Sequence, residues 1–175
     1  MTHSTQNYKY LICNEPQAAI VLTGGNTPFC GGSILTSRHV LTAAHCTFDR
    51  YIASVMAPSA IQVLVGEHDV MDSIPAARHQ VSSIRNHERF SYSSLHFDIS
   101  LLTLAPAITL SSAAAPVCLP SFSQYPRYPD YTGQVATVTG WGETDSGSPS
   151  STLREVTVTV EANDDCSSAY DQIKE

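Results

Sequence analysis

Residues 29–46, FCGGSILTSRHVLTAAHC, constrain this chain more than any other stretch. Two short runs of apolar and β-branched residues, 33–35 and 40–42, flank the polar corner Thr36-Ser37-Arg38-His39, a pattern that predicts a β-hairpin. Gly31 and Gly32 read as a tight bend ahead of it. Past Thr42, the small side chains of Ala43 and Ala44 leave space beside the His45 ring, and Cys46 follows at once.

The hairpin is one part of a chain of short strands. Residues 17–22 read as a strand closed by a Gly24-Gly25-Asn26 turn. Residues 49–59 are polar and alanine-containing, as a surface segment would be. Ile61, Val63 and Val65 then alternate with Gln62 and Leu64. Residues 80–85 form a further strand, 87–96 a polar loop, and 99–104 a nearly continuous apolar run of the kind buried in a barrel. That makes about six strands by residue 105, enough to close one small antiparallel barrel. Residues 106–131, rich in Ala, Pro, Ser and Tyr, read as a linker. Alternation returns at 133–140 and again at Val156, Val158 and Val160, with a flexible loop expected over 143–152. Asn163-Asp164-Asp165 are helix-start residues ahead of 166–173.

Charge and cysteine usage narrow the classes of function. A net charge of −7 gives no basic surface for nucleic acid, and no apolar run is long enough to span a membrane. Five cysteines suggest an oxidising compartment and leave at least one of them unpaired within the chain. The seven histidines are scattered without metal-ligand spacing.

Three motifs in one order then carry a resemblance. Thr42-Ala43-Ala44-His45-Cys46 after a CGGSIL hairpin, Asp98-Ile99-Ser100-Leu101-Leu102, and Gly140-Trp141-Gly142 together resemble the chymotrypsin-like, trypsin-family serine proteases. An isolated His beside Cys, or an Asp before an apolar strand, is ordinarily structural; the ordered set reverses those odds. The resemblance implies an all-β double barrel with a short helix near the C-terminus. It divides the chain into an atypical extension at 1–13, a first barrel at 14–105, the linker at 106–131 and the start of a second barrel at 132–175. His45 becomes the general base and Asp98 the carboxylate that fixes its tautomer. Cys30 pairs with Cys46, Cys166 is left without its mate, and the pairing of Cys13 and Cys118 stays open. Protein or peptide substrates follow, with protein inhibitors as further partners, a secreted location and no cofactor. The loop opened by Gly66-Glu67-His68-Asp69 resembles the family's calcium loop, but only Glu67 matches a ligand, Ala76 and His79 standing at its far end, so a plain surface loop is expected.

The chain also departs from the family. Residues 1–13 show no signal-peptide pattern and no basic residue precedes an Ile-Val-Gly-Gly junction; Ile20-Val21-Leu22-Thr23-Gly24-Gly25 only echoes it. No Gly-Asp-Ser-Gly-Gly segment occurs, and Ser148, between Gly147 and Pro149, lies in the wrong loop. The sequence therefore reads as a serine endopeptidase truncated at both ends and inactive alone, whose gene is expected to continue past Glu175. The alternative is a non-catalytic homologue acting as a binding or regulatory module. In that case a triad position would ordinarily be substituted within a complete chain, whereas His45 and Asp98 are both kept here.

Overall fold

The computed structural model describes residues 17–72, 77–119 and 130–173, without the side chains of 170–173. The chain falls into two compact units, Met1–Cys118 and Leu119–Glu175. In the first, β1 (Gln17–Leu22), β2 (Pro28–Thr36) and β3 (His39–Thr42) are followed by a 3-10 turn at Ala44–Thr47. The two-residue strands β4 (Phe48–Asp49) and β5 (Ser54–Val55) pair with each other. Then come β6 (Ile61–Val65), β7 (Ala77–Asn86) and β8 (Ser100–Ala105). Six strands close an antiparallel barrel in the order β1-β2-β3-β8-β7-β6, with β6 returning to β1. Closure removes every free edge, which is how a small sheet satisfies its backbone on both sides.

The barrel is filled by alternate residues. Ala18 and Ile20 from β1, Ile34 from β2, Val40 from β3, Val63 from β6, and Leu102 and Leu104 from β8 meet in one core cluster, all fully buried. Two details depart from the sequence reading. β8 is not buried along its length: Ser100, Leu102 and Leu104 are buried while Leu101 and Thr103 are half-buried, the period of two that an antiparallel strand imposes. β6 reverses the expectation, because all five of its residues are buried. Gln62 tolerates this because its Oε1 accepts from the Gly24 N–H and from Arg78 Nη1.

Gly31 and Gly32 also differ from expectation. Both lie inside β2, paired with Ala19 and Ala18 of β1, and form no bend. A Cβ on Gly32 would stand 2.8 Å from Val40 Cγ1 and 2.9 Å from the Leu41 carbonyl, so glycine serves close strand approach. The expected turn at Gly24-Gly25 is present: Gly24 has φ +84° and the Gly25 N–H donates to the Leu22 carbonyl. Residues just past β8, read from sequence as linker, pack on the barrel. Ile108 and Ala114 join its core, and backbone bonds run from Ile108 N to Ser37 O and from Val117 N to Ile34 O.

The second unit is built differently. β9 (Val135–Gly140) and β10 (Arg154–Thr159) form a two-stranded antiparallel ladder, followed by α1 (Asn163–Ile173). The intervening loop, expected to be flexible, is tied by bonds from Thr144 N to Ser148 O, Gly147 N to Thr144 O and Ser150 N to Gly142 O. Asp164 and Asp165 occupy the first turn of α1, where a carboxylate complements the helix dipole. Cys166 on this helix is exposed and free. No helix among the described residues is long and apolar enough to cross a membrane.

Candidate active site

His45 and Asp98 lie at the same end of the antiparallel β3–β8 pair. β3 ends at Thr42, whose partner on β8 is Ser100, so the residues just past one strand and just before the other are brought side by side. His45 rides the 3-10 turn, entered through extended Ala43. Asp98 is presented by a contorted approach in which Leu95 and Phe97 hold left-handed φ values of +53° and +55°. Such angles cost a non-glycine residue on the order of 1 kcal/mol or more and need support from the surroundings. Part of that support is visible: the Phe97 ring stacks on His87 at 4.8 Å and carries the Arg89 guanidinium 4.2 Å from its centroid.

The carboxylate holds the histidine at two points. Asp98 Oδ2 lies 2.7 Å from His45 Nδ1, and Oδ1 accepts the His45 backbone N–H at 2.8 Å. An ionised carboxylate only accepts, so Nδ1 must carry the proton and the neutral ring keeps its lone pair on Nε2. Nε2 sits 3.4 Å from Cys46 Sγ, but a disulfide sulfur has no proton to give and leaves that lone pair basic. Burial pulls the Asp98 carboxyl upward, yet the hydrogen bonds from the His45 ring and backbone, the His45 charge and the Ala44 N–H outweigh it. The net result is a carboxyl held below its usual range. The His45 side chain remains 47% exposed.

Cys30 and Cys46 form a disulfide that joins β2 to the histidine turn. Ligand atoms of Cys30, His45 and Cys46 lie within 4.8 Å of one another, but as a disulfide the two sulfurs are not thiolate ligands. Cys118 is also disulfide-bonded, while Cys13 lies outside the described residues. In the loop that follows β6, Glu67 Oε1 accepts the His68 N–H and Asp69 Oδ1 the Met71 N–H, so both carboxylates serve local turns. Ala76 lies outside the described residues, and His79 is buried on β7 with its Nδ1 3.2 Å from the Pro106 carbonyl.

Beside His45 opens a groove of about 940 Å³ that includes Leu22, Phe29, Phe48, Tyr51, Met56 and Tyr92 in its walls. Phe48 stacks on Tyr92 at 5.3 Å and meets Phe90 edge-on at 5.7 Å. Residues 49–59 look from sequence like a surface segment, yet Asp49, Arg50, Tyr51 and Met56 line this groove. The available signal was the recurrence of aromatic residues at 48, 51, 90 and 92, which only the tertiary fold gathers.

The Trypsin family model matches residues 8–175. The chain belongs to the trypsin family. This trypsin-family chain is 36% identical over 148 residues to the proclotting enzyme of Tachypleus tridentatus, covering 82% of itself and 39% of that protein. It is 37% identical over 147 residues to Trypsin-1 of Astacus astacus, covering 81% of itself and 57% of that relative. Against the serine proteinase stubble of Drosophila melanogaster, identity is 31% over 149 residues, 83% of this chain and 18% of the relative. The chain thus spans between about a fifth and somewhat over half the length of these relatives. Membership carries with it the chymotrypsin-like double β-barrel, of which the closed six-stranded barrel is one half.

Proposed function

We propose that His45 and Asp98 are the general base and its orienting partner in a serine endopeptidase that cleaves protein or peptide substrates through an acyl-enzyme. The observation that carries this reading is the two-point hold of Asp98 on His45, at 2.7 and 2.8 Å, which leaves an exposed ring with Nε2 basic. The apolar groove beside the ring is suited to substrate side chains, and the disulfide favours a secreted protein.

In this reading His45 takes a proton from a serine hydroxyl as that oxygen attacks the scissile carbonyl, then returns it to the leaving amine. Asp98 stabilises the imidazolium between the two transfers. The reading requires the nucleophile and the oxyanion-hole amides from outside residues 1–175, with residues 132–175 opening the second barrel. The 175-residue chain by itself is expected to show no turnover.

The test is to express the product of the full-length transcript and treat it with a fluorophosphonate probe and a peptide-ester substrate. Labelling of one serine, with turnover reduced about 10⁴-fold by Asp98→Asn, supports the proposal. A full-length product that neither labels nor turns over, under conditions that remove any propeptide, overturns it in favour of a binding homologue.

A further inference from the structure

Behind the His45–Asp98 pair lies a second, buried contact between the same two segments. Thr47, two residues after His45, is fully buried, and Ser100, two residues after Asp98, is 1% exposed. Thr47 Oγ1 lies 3.3 Å from Ser100 Oγ, 2.7 Å from Asn86 Oδ1 and 3.0 Å from the Ala44 carbonyl. Asn86 and Ser100 are themselves cross-strand partners on β7 and β8. We infer that Thr47, Asn86 and Ser100 form a positioning bracket that sets the distance between the histidine turn and the start of β8, and hence between His45 and Asp98.

The chemistry of the cluster supports a bracket over a chance group of polar side chains. A hydroxyl has one hydrogen, so Thr47 can donate to only one of its three neighbours. Donation to the Ala44 carbonyl pins the 3-10 turn that carries His45. Ser100 can then donate to Thr47, and so can Asn86 if it presents its amide nitrogen, which is buried without a hydrogen-bond partner among the described residues. Thr47 thereby accepts two bonds and gives one, joining the turn, β7 and β8 at a single oxygen. Polar groups at this depth impose a specific geometry, whereas apolar side chains of similar size would tolerate sliding. Asp98 alone is a weaker constraint: it reaches its place through residues with left-handed backbone angles, and its partner ring is half exposed.

The inference rests on the reading of His45 as the base, but its first readout does not depend on turnover. Proton NMR of the 175-residue chain should show the far-downfield line of a ring N–H bonded to a carboxylate, assigned by its loss in His45→Gln. Thr47→Val, which removes the hydroxyl at nearly constant volume, should speed solvent exchange of that proton about ten-fold, as the loss of one hydrogen bond would. Thr47→Ser should restore the wild-type rate. Should Thr47→Val fail to fold, Asn86→Ala and Ser100→Ala apply the same test from the other two members. Folded variants with unchanged exchange overturn the bracket, as does a wild-type chain without the line. In the full-length protein the same substitutions should lower kcat with little change in KM. A wild-type line with bracket-dependent exchange in a protein without turnover would leave the bracket standing and remove only the catalytic reading.

Discussion

The barrel and the two-stranded ladder are made of similar sequence and behave differently. β8 and β10 each carry apolar residues at every second position, Leu102 and Leu104 in one and Val156 and Val158 in the other, yet Val40, Leu102 and Leu104 are fully buried while Val135, Val138, Val156 and Val158 are 39–72% exposed. The local pattern is adequate in both. What differs is closure: six strands that return on themselves enclose their apolar face, and two strands have no interior to enclose. Alternation states which side of a strand is apolar, and the number of paired strands decides whether that side is shielded from water.

The sharpest way to break this comparison is to truncate one residue in each region. Leu102→Ala should destabilise the barrel by about 2–5 kcal/mol, the cost of a cavity in a packed core, whereas Val156→Ala should cost under about 1 kcal/mol. Urea unfolding of the two variants, with hydrogen exchange to locate the loss, measures both. Equal costs would mean that the ladder has a core of its own.

Next in size is the disulfide. Cys30 and Cys46 are 16 residues apart, and opening a loop of that length should cost the barrel on the order of 3 kcal/mol. Cys166, exposed on α1, is the control, and Cys166→Ala should change stability by less than about 0.5 kcal/mol. Thermal melts of Cys30→Ala/Cys46→Ala and of Cys166→Ala provide the comparison. A silent double variant would show that strand closure alone holds the histidine turn.

Glycine substitutions give a smaller contrast. Gly32→Ala forces a Cβ into Val40 and the Leu41 carbonyl and should cost about 1–3 kcal/mol, while Gly142→Ala meets nothing within 4 Å and should be nearly neutral. Denaturation midpoints of the pair would test whether the close approach of β2 to β3 is as unyielding as the distances imply.

The smallest effect is the dependence on acid. The folded carboxyl of Asp98 lies below its unfolded value of about 3.9, so its contribution to stability is present above that pH. The contribution is lost as pH falls through the lower folded value. Asp98→Asn should flatten this part of the acid limb. Asp130, in the other unit, is also lowered, by the Thr132 hydroxyl and backbone N–H, but it is fully exposed and Asp130→Asn should leave the limb unchanged. Stability measured from pH 2 to 6 distinguishes the two.

Much of the barrel was legible in the sequence because its signals are local. The first strand was readable in full at Gln17–Leu22, and the β2–β3 hairpin at its polar corner. Misreadings arose where a residue's surroundings came from distant chain. Gly31 and Gly32 look like a bend until β1 and β3 are set beside them, and Gln62 looks solvent-facing until Arg78 reaches it. Ile108 looks like linker until it enters the core.

The sequence by itself determined the family motifs and the strands' apolar faces and singled out His45 and Asp98 as candidates for acid-base chemistry, since these depend on residue type and short spacing. Only the tertiary structure decided that His45 and Asp98, 53 residues apart, meet at 2.7 Å. It alone set Thr47 against Asn86 and Ser100, and gathered Phe48, Tyr51 and Tyr92 beside the ring. Hydrogen bonds and aromatic contacts act over a few ångströms, and which side chains come that close depends on strand register and barrel closure, quantities that no local stretch of sequence contains.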